Sequence, residues 1–208
     1  MPSKDGGTEV NMLLDYFMNP DLYTSEVFWQ TFLFSAAGLL IAGLLFREVT
    51  AAVSHALREK EVSFNPLKMP KISLLFFLIY LLFGTAMIPA APPAKTKIKT
   101  FLSALSVPLF GLAAGFGCVT LYATTSVIML RSLLLSLATA FVSGGVFSLI
   151  PFPGLPGGNI IAALLPEKIA GKWINLDRYL PFAAVIAAGL LARSGITDAV
   201  IAQIIAIL

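Results

Sequence analysis

Charged residues are scarce in this chain. Only 12% of its 208 residues are Asp, Glu, Lys or Arg, against about 25% in an ordinary soluble domain. Hydrophobic residues make up 58%, and the mean hydropathy is +0.89. Water is a poor solvent for such a surface, which excludes a soluble globular domain. The formal charge of +3 is scattered among the junctions between apolar blocks, which excludes a nucleic-acid partner.

Cysteine and histidine are nearly absent, with one of each in the sequence. The single Cys118 excludes an intrachain disulfide framework, and its apolar surroundings indicate a small buried residue. The single His55 is interpreted as a polar residue near a helix end. It could approach Glu59 at i+4, but one imidazole and one flexible carboxylate make a poor metal site. No cofactor is therefore predicted.

Long apolar blocks dominate what is present. Because a membrane span needs roughly 20 apolar residues, we interpret these blocks as transmembrane segments. The longer ones occupy 27–46, 72–88, 101–125 and 130–150, and a shorter pair occupies 180–192 and 196–208. The sequence predicts an all-α integral membrane protein with four to six transmembrane helices. A polar segment, 1–26, precedes a single transmembrane domain, 27–208, in which the first helix runs on into 47–58.

The Lys and Arg residues predict which side of the membrane each loop occupies. The segment 47–71 holds five of them and the N-terminal segment holds only Lys4, so the first loop, 47–71, is predicted to be cytoplasmic. A crossing by 72–88 would place Lys95, Lys97 and Lys99 on the other side. Either that segment is re-entrant or the rule is broken here.

A proline- and glycine-rich stretch, 151–158, separates the fourth apolar block from the short apolar turn at 160–165. We predict that this stretch is non-helical. Non-helical backbone at membrane depth requires partners from protein or water. One interpretation is a break whose backbone groups bond to neighbouring helices. The other is an exposed backbone that pairs with an extended segment of a partner by strand addition.

Four short motifs follow one another along the chain. They are Arg47-Glu48-Val49-Thr50-Ala51, Asn65-Pro66-Leu67-Lys68, Val107-Pro108-Leu109, and a longer one that begins with Ser148-Leu149-Ile150-Pro151 and continues through 152–158. Together they resemble the site-2 protease family of intramembrane zinc metalloproteases, in its compact form without a PDZ domain. Members of that family carry HExxH, a segment close to N-P-L-K, a G-P motif that opens a later span, and N-x-x-P-x-P-P-L-D-G-G. The resemblance implies a site-2-protease-like core.

The zinc ligands of that family are missing here. The resemblance implies that two histidines and one aspartate hold zinc, and that a glutamate acts as general base. This sequence has Arg47 and Ala51 at the histidine positions and Pro156 at the aspartate position, and only Glu48 is kept. Arginine stays protonated, while alanine and proline have no donor side chain. We therefore expect a pseudoprotease without bound metal.

A binding or structural role in a larger membrane complex is the function that this resemblance favours. The expected partners are membrane lipids and the transmembrane helices of other subunits. The candidate partner-binding residues are Arg47, Glu48, Pro151, Pro153, Gly154, Gly157, Gly158 and Asn159. Two alternatives stay open. One is a divergent metalloprotease with a rearranged site that uses Glu48 and His55, and the other is a small transporter or channel component, for which broken apolar segments are a known sign.

Overall fold

A computed structural model describes residues 25–57, 86, 88, 90 and 93–207, and the regular elements within them are all helical. Numbered in chain order, the helices are α1 (Ser25–Ala56), α2 (Lys97–Thr124), α3 (Ile128–Ser148), α4 (Pro156–Leu164), α5 (Glu167–Ile174), α6 (Leu180–Ser194) and α7 (Ile196–Ile207). A short 3₁₀ helix, Asn175–Tyr179, joins α5 to α6.

The predicted all-helical class is confirmed for this part of the chain. Three helices, α1 to α3, are long and apolar enough to cross a membrane, and a fourth is added if the bent pair Glu167–Tyr179 and Phe182–Leu191 counts as one span. The prediction for 72–88 falls outside the described residues except at Ala86 and Ile88. The same is true of most of the polar segment 1–26 and of the motif at 65–68.

The helix boundaries follow from local chemistry. The Thr96 hydroxyl accepts a hydrogen bond from the Lys99 backbone N–H and caps the start of α2. Near the other end of the chain, a glycine ends a helix. Gly195 separates α6 from α7 with a φ of 64°, a left-handed conformation that glycine adopts without steric cost.

Three phenylalanines hold the central helices together. Phe46 of α1, Phe110 of α2 and Phe141 of α3 have ring centroids 5.3–5.7 Å apart, and two of the three pairs are edge-to-face. Glycines bring the backbones close enough for this packing. A Cβ on Gly111 would lie 2.8 Å from the Gly145 Cα and 2.9 Å from the Phe46 ring, so only glycine fits at that crossing.

The contacts fix the direction of each helix in the bundle. Phe46 of α1 lies level with Phe110 of α2, and further along α1 the Leu57 carbonyl accepts a hydrogen bond from the Lys99 ammonium. Helices α1 and α2 are therefore antiparallel. The Lys97 ammonium donates to the Leu165 carbonyl after α4 at 2.7 Å. Leu57, the start of α2 and Leu165 meet at one end of the bundle. We call this end the basic end.

The last two helices cover the outside of α3. Ala184, Ala188 and Leu191 of α6 are buried against Phe147 and Leu155. Ile201 of α7 is buried against Val119 of α2 and two residues of α3, Ala138 and Val142, nearer the opposite end. Much of the outer surface of α1 is apolar and exposed, including Leu40, Leu44 and Leu45, as expected of side chains that face lipid.

Candidate functional site

A non-helical segment, 149–155, interrupts the chain between α3 and α4, and we call it the break. Local hydrogen bonds shape it, including Phe152 N–H to the Ile150 carbonyl at 2.8 Å and Leu155 N–H to the Phe152 carbonyl at 3.1 Å. Leu155 is 1% exposed. The break is therefore a folded segment that Leu155 anchors in the protein core.

The prediction that 151–158 is non-helical is wrong for its last three residues. Pro156, Gly157 and Gly158 form the first turn of α4, which continues through the apolar residues that we expected to form only a short turn. Proline fits the first helical position because its fixed φ suits the helix and an N–H there would have no intrahelical partner. The sequence reasoning took proline as a helix breaker and overlooked its role as a helix starter.

Two other parts of the chain donate hydrogen bonds to the break region. Ala90 N–H donates to the Gly154 carbonyl at 2.9 Å, and the Trp173 indole Nε1–H donates to the Gly158 carbonyl at 3.0 Å. Ala86 N–H also donates to Ser143 Oγ at 3.1 Å. The first predicted interpretation, in which neighbouring parts of the protein satisfy the backbone, therefore holds for these two carbonyls.

The start of α4 packs against the first third of α2. Residues at the start of α4 share a small cavity of about 10 Å³ with that part of α2; its lining is Ala90, Thr100, Ser103, Ala104, Val107, Pro156 and Asn159.

The motif resemblance aligns positions 47, 51 and 156 with zinc ligands. Phe46 contacts Phe110 and Leu57 is bonded to Lys99, so Arg47 and Ala51 lie between these two levels of α2, and Pro156 shares a cavity with residues 100–107 of α2. Ala51 is 6% exposed and Arg47 is half-buried, whereas Glu48 is exposed. Ala51 and part of Arg47 therefore lie toward the bundle, and Glu48 lies on the outer side of α1.

The residues present do not fit a zinc ion. Arginine, alanine and proline offer no lone pair from a neutral side-chain nitrogen or from a carboxylate. His55 is exposed near the basic end. Within the described ranges, no group of three His, Cys, Asp or Glu residues is close enough to hold a metal ion. We therefore derive no metal chemistry for this site.

The eight candidate partner-binding residues fall into three groups. Glu48 and Pro151 are exposed, and Arg47 and Gly154 are half-buried. The buried ones are Pro153, Gly157, Gly158 and Asn159. Pro108, which the motif comparison places at the opening of a span, lies instead in the interior of α2. Exposed side chains for a partner are thus found at Pro151 and its neighbour Leu149, which is 48% exposed, and at Glu48.

Comparison of the chain with protein-family models, with curated proteins and with solved structures finds no match. The resemblance to site-2 proteases consequently rests on the order of the sequence motifs. The structure also shows contacts that those motifs did not indicate. Trp173 lies between the apolar segments 160–165 and 180–192, where the motifs indicate no contact, although the lysines at 168 and 172 have helical spacing.

Proposed function

We propose that this chain is an integral membrane protein related in fold to the site-2 proteases, and that it acts as a binding or structural subunit of a larger membrane complex. One observation carries the proposal. Positions 47 and 51 of α1 and position 156 of α4 lie on helices that both pack against α2, and they hold side chains that cannot bind zinc. The break that follows α3 is internally hydrogen-bonded. On this proposal the site has lost its zinc ligands, and the helices around it remain.

Helix packing on exposed side chains is the mode of binding that the contacts favour. Strand addition needs free backbone groups, but within this chain the Gly154 carbonyl already accepts from Ala90 and the Gly158 carbonyl from Trp173. Leu149 and Pro151 are exposed next to those carbonyls. A partner helix that packs on Leu149 and Pro151 would contact the break without displacing its internal hydrogen bonds.

The metal content of the purified, detergent-solubilised protein tests the loss of catalysis. We expect well under one zinc per chain by elemental analysis, in the natural sequence and in H55A alike. About one zinc per chain that is lost in H55A would overturn the proposal and favour the protease with a rearranged site. Zinc that survives H55A would contradict the assignment of Arg47, Ala51 and Pro156 as a ligand-free site.

Site-specific photocrosslinking in the native membrane tests the binding role. A photoreactive side chain at Pro151 is expected to give one discrete protein adduct. The same group at Leu44, an exposed apolar residue of α1 (47% exposed), serves as the matched control and is expected to give lipid adducts only. Lipid adducts alone at both positions would argue against a partner at the break.

We propose an orientation for the chain from the contacts at the basic end. Leu57 and Lys99 are in contact, so the start of the first loop and the lysines at 95, 97 and 99 lie at the same end of the bundle. With that end in the cytoplasm, both groups of basic residues satisfy the positive-inside rule.

Cysteine labelling measures this orientation directly. In a C118S background, H55C, K95C and K168C are expected to react with a membrane-impermeant maleimide from one side of the membrane, and S126C, between α2 and α3, from the other. All four positions are exposed, so differences report sidedness. Labelling of H55C and K95C from opposite sides would contradict this orientation.

A further inference from the structure

An amphipathic segment lies across the basic end of the bundle. It consists of α5 and the 3₁₀ helix that follows, Glu167–Tyr179, and it is bent by 78° from Phe182–Leu191 in α6. Its start is held at the level of the first turn of α2, because the Lys97 ammonium donates to the Leu165 carbonyl. A segment nearly perpendicular to an adjoining membrane helix, placed where a long span ends, has the position of an interfacial helix.

The apolar side chains of this segment are exposed in the isolated chain. Ile169 is 52% exposed, Tyr179 49% and Leu176 39%. Trp173 is half-buried, and its indole N–H reaches the Gly158 carbonyl, which fixes the segment to the start of α4. Tryptophan and tyrosine beside lysine and arginine are the usual anchors at the boundary between headgroups and acyl chains.

Positive charge gathers around the same segment. Lys168 and Lys172 are one turn apart on α5 and exposed, and Lys95 and Lys97 are exposed at the start of α2. Arg178 places its guanidinium 4.8 Å from the centre of the Tyr179 ring. Against these five cations the segment carries two carboxylates, Glu167 and Asp177. The surface therefore has a net positive charge beside an apolar one.

We propose that this surface binds the headgroups of anionic phospholipids in the leaflet that surrounds the basic end. The ammonium groups of Lys168 and Lys172 meet the phosphates, while Ile169 and the aromatic rings enter the acyl boundary. A zwitterionic lipid offers the same acyl chains without a net charge to complement the lysines. The inference depends on membrane insertion and is independent of the pseudoprotease proposal.

Fluorescence quenching by brominated lipids tests this in the full-length protein. The chain has two tryptophans, so W29F leaves Trp173 as the only one. The W29F protein is reconstituted in mixed bilayers of phosphatidylglycerol and phosphatidylcholine, with bromine on the acyl chains of one lipid at a time. We expect Trp173 to be quenched several-fold more effectively by the anionic lipid at low salt. K168Q/K172Q is expected to remove most of that preference, because each lysine near an anionic surface contributes about five-fold in affinity.

Matched variants separate charge from folding. K168R/K172R keeps both charges and is expected to keep the preference, while E167Q/D177N removes the two carboxylates and is expected to raise it. R193Q removes an exposed cation at the far end of α6 and is expected to change nothing. Equal quenching by both lipids, or a preference that survives K168Q/K172Q, would overturn the proposal. Abolition by millimolar inorganic phosphate would show a site for free phosphate instead of lipid.

Discussion

Replacing Arg47 and Ala51 by histidine and Pro156 by aspartate is expected to give a protein that binds about one zinc ion per chain, whereas the natural sequence is expected to bind none. Positions 47 and 51 lie on α1 and position 156 on α4, and both helices pack against α2. Two imidazoles one turn apart on α1 and a carboxylate from the start of α4 make a three-ligand set that leaves the fourth zinc position open. An aspartate in the first turn of α4 also suits the helix dipole.

Zinc per chain after size-exclusion chromatography is the measurement. The control R47N/A51N/P156N carries amides at the same positions and is expected to retain no zinc. The double variant R47H/A51H, with Pro156 in place, is expected to lose its zinc to a mild chelator because two imidazoles alone bind weakly. A well-folded triple variant without zinc would mean that the three positions do not face a common point, and the fold relationship to site-2 proteases would be rejected.

Gly158→Ala is expected to destabilise the protein by about 3 kcal/mol, at the upper end of the usual cost of overpacking. A Cβ at this position would lie 2.0 Å from the Phe152 carbonyl oxygen and 2.8 Å from Pro153 N. Both are backbone atoms of the break, which cannot rotate away as a flexible side chain could. The break would have to move as a unit, and the Trp173 hydrogen bond to the Gly158 carbonyl would be strained with it.

Unfolding in mixed micelles with increasing SDS measures the change in free energy. Gly117→Ala is the matched control, because Gly117 lies in the helical interior of α2 with no atom within 4 Å of a built Cβ. Removing a flexible residue from a helix is worth about 0.5 to 1 kcal/mol, so this variant is expected to be as stable as the natural protein or slightly more so. A Gly158→Ala protein of natural stability would contradict the packing of α4 on the break.

The sequence predicted the long helices well because their signal is continuous. An apolar run without a breaker, such as the one through Phe46, leaves helix as the only structure that satisfies its backbone in lipid. This prediction depends on local sequence, and the structure agrees with it for the described residues. The i, i+4 spacing of Arg47 and Ala51 places them on one face of α1, and the structure shows that Ala51 on this face is buried.

The parts that the sequence did not predict depend on contacts distant in the chain. Pro156 and the glycines after it have the composition of a loop, yet they begin a helix because α4 packs on α2 and its first turn lies on the backbone of the break. The hydrogen bonds from Ala90 to Gly154 and from Trp173 to Gly158 have no local signature. From the sequence, Lys97 and Lys99 appeared to violate the positive-inside rule. Only their contacts with Leu165 and Leu57 show at which end of the bundle they lie.

An external strand that pairs with the break must compete with Ala90 for the Gly154 carbonyl. Ala90 belongs to the same folded chain as Gly154, so their hydrogen bond forms without the loss of translational and rotational freedom that an external strand undergoes on binding. Any partner that pairs with the Gly154 carbonyl must therefore displace Ala90 and gain additional contacts elsewhere on the surface.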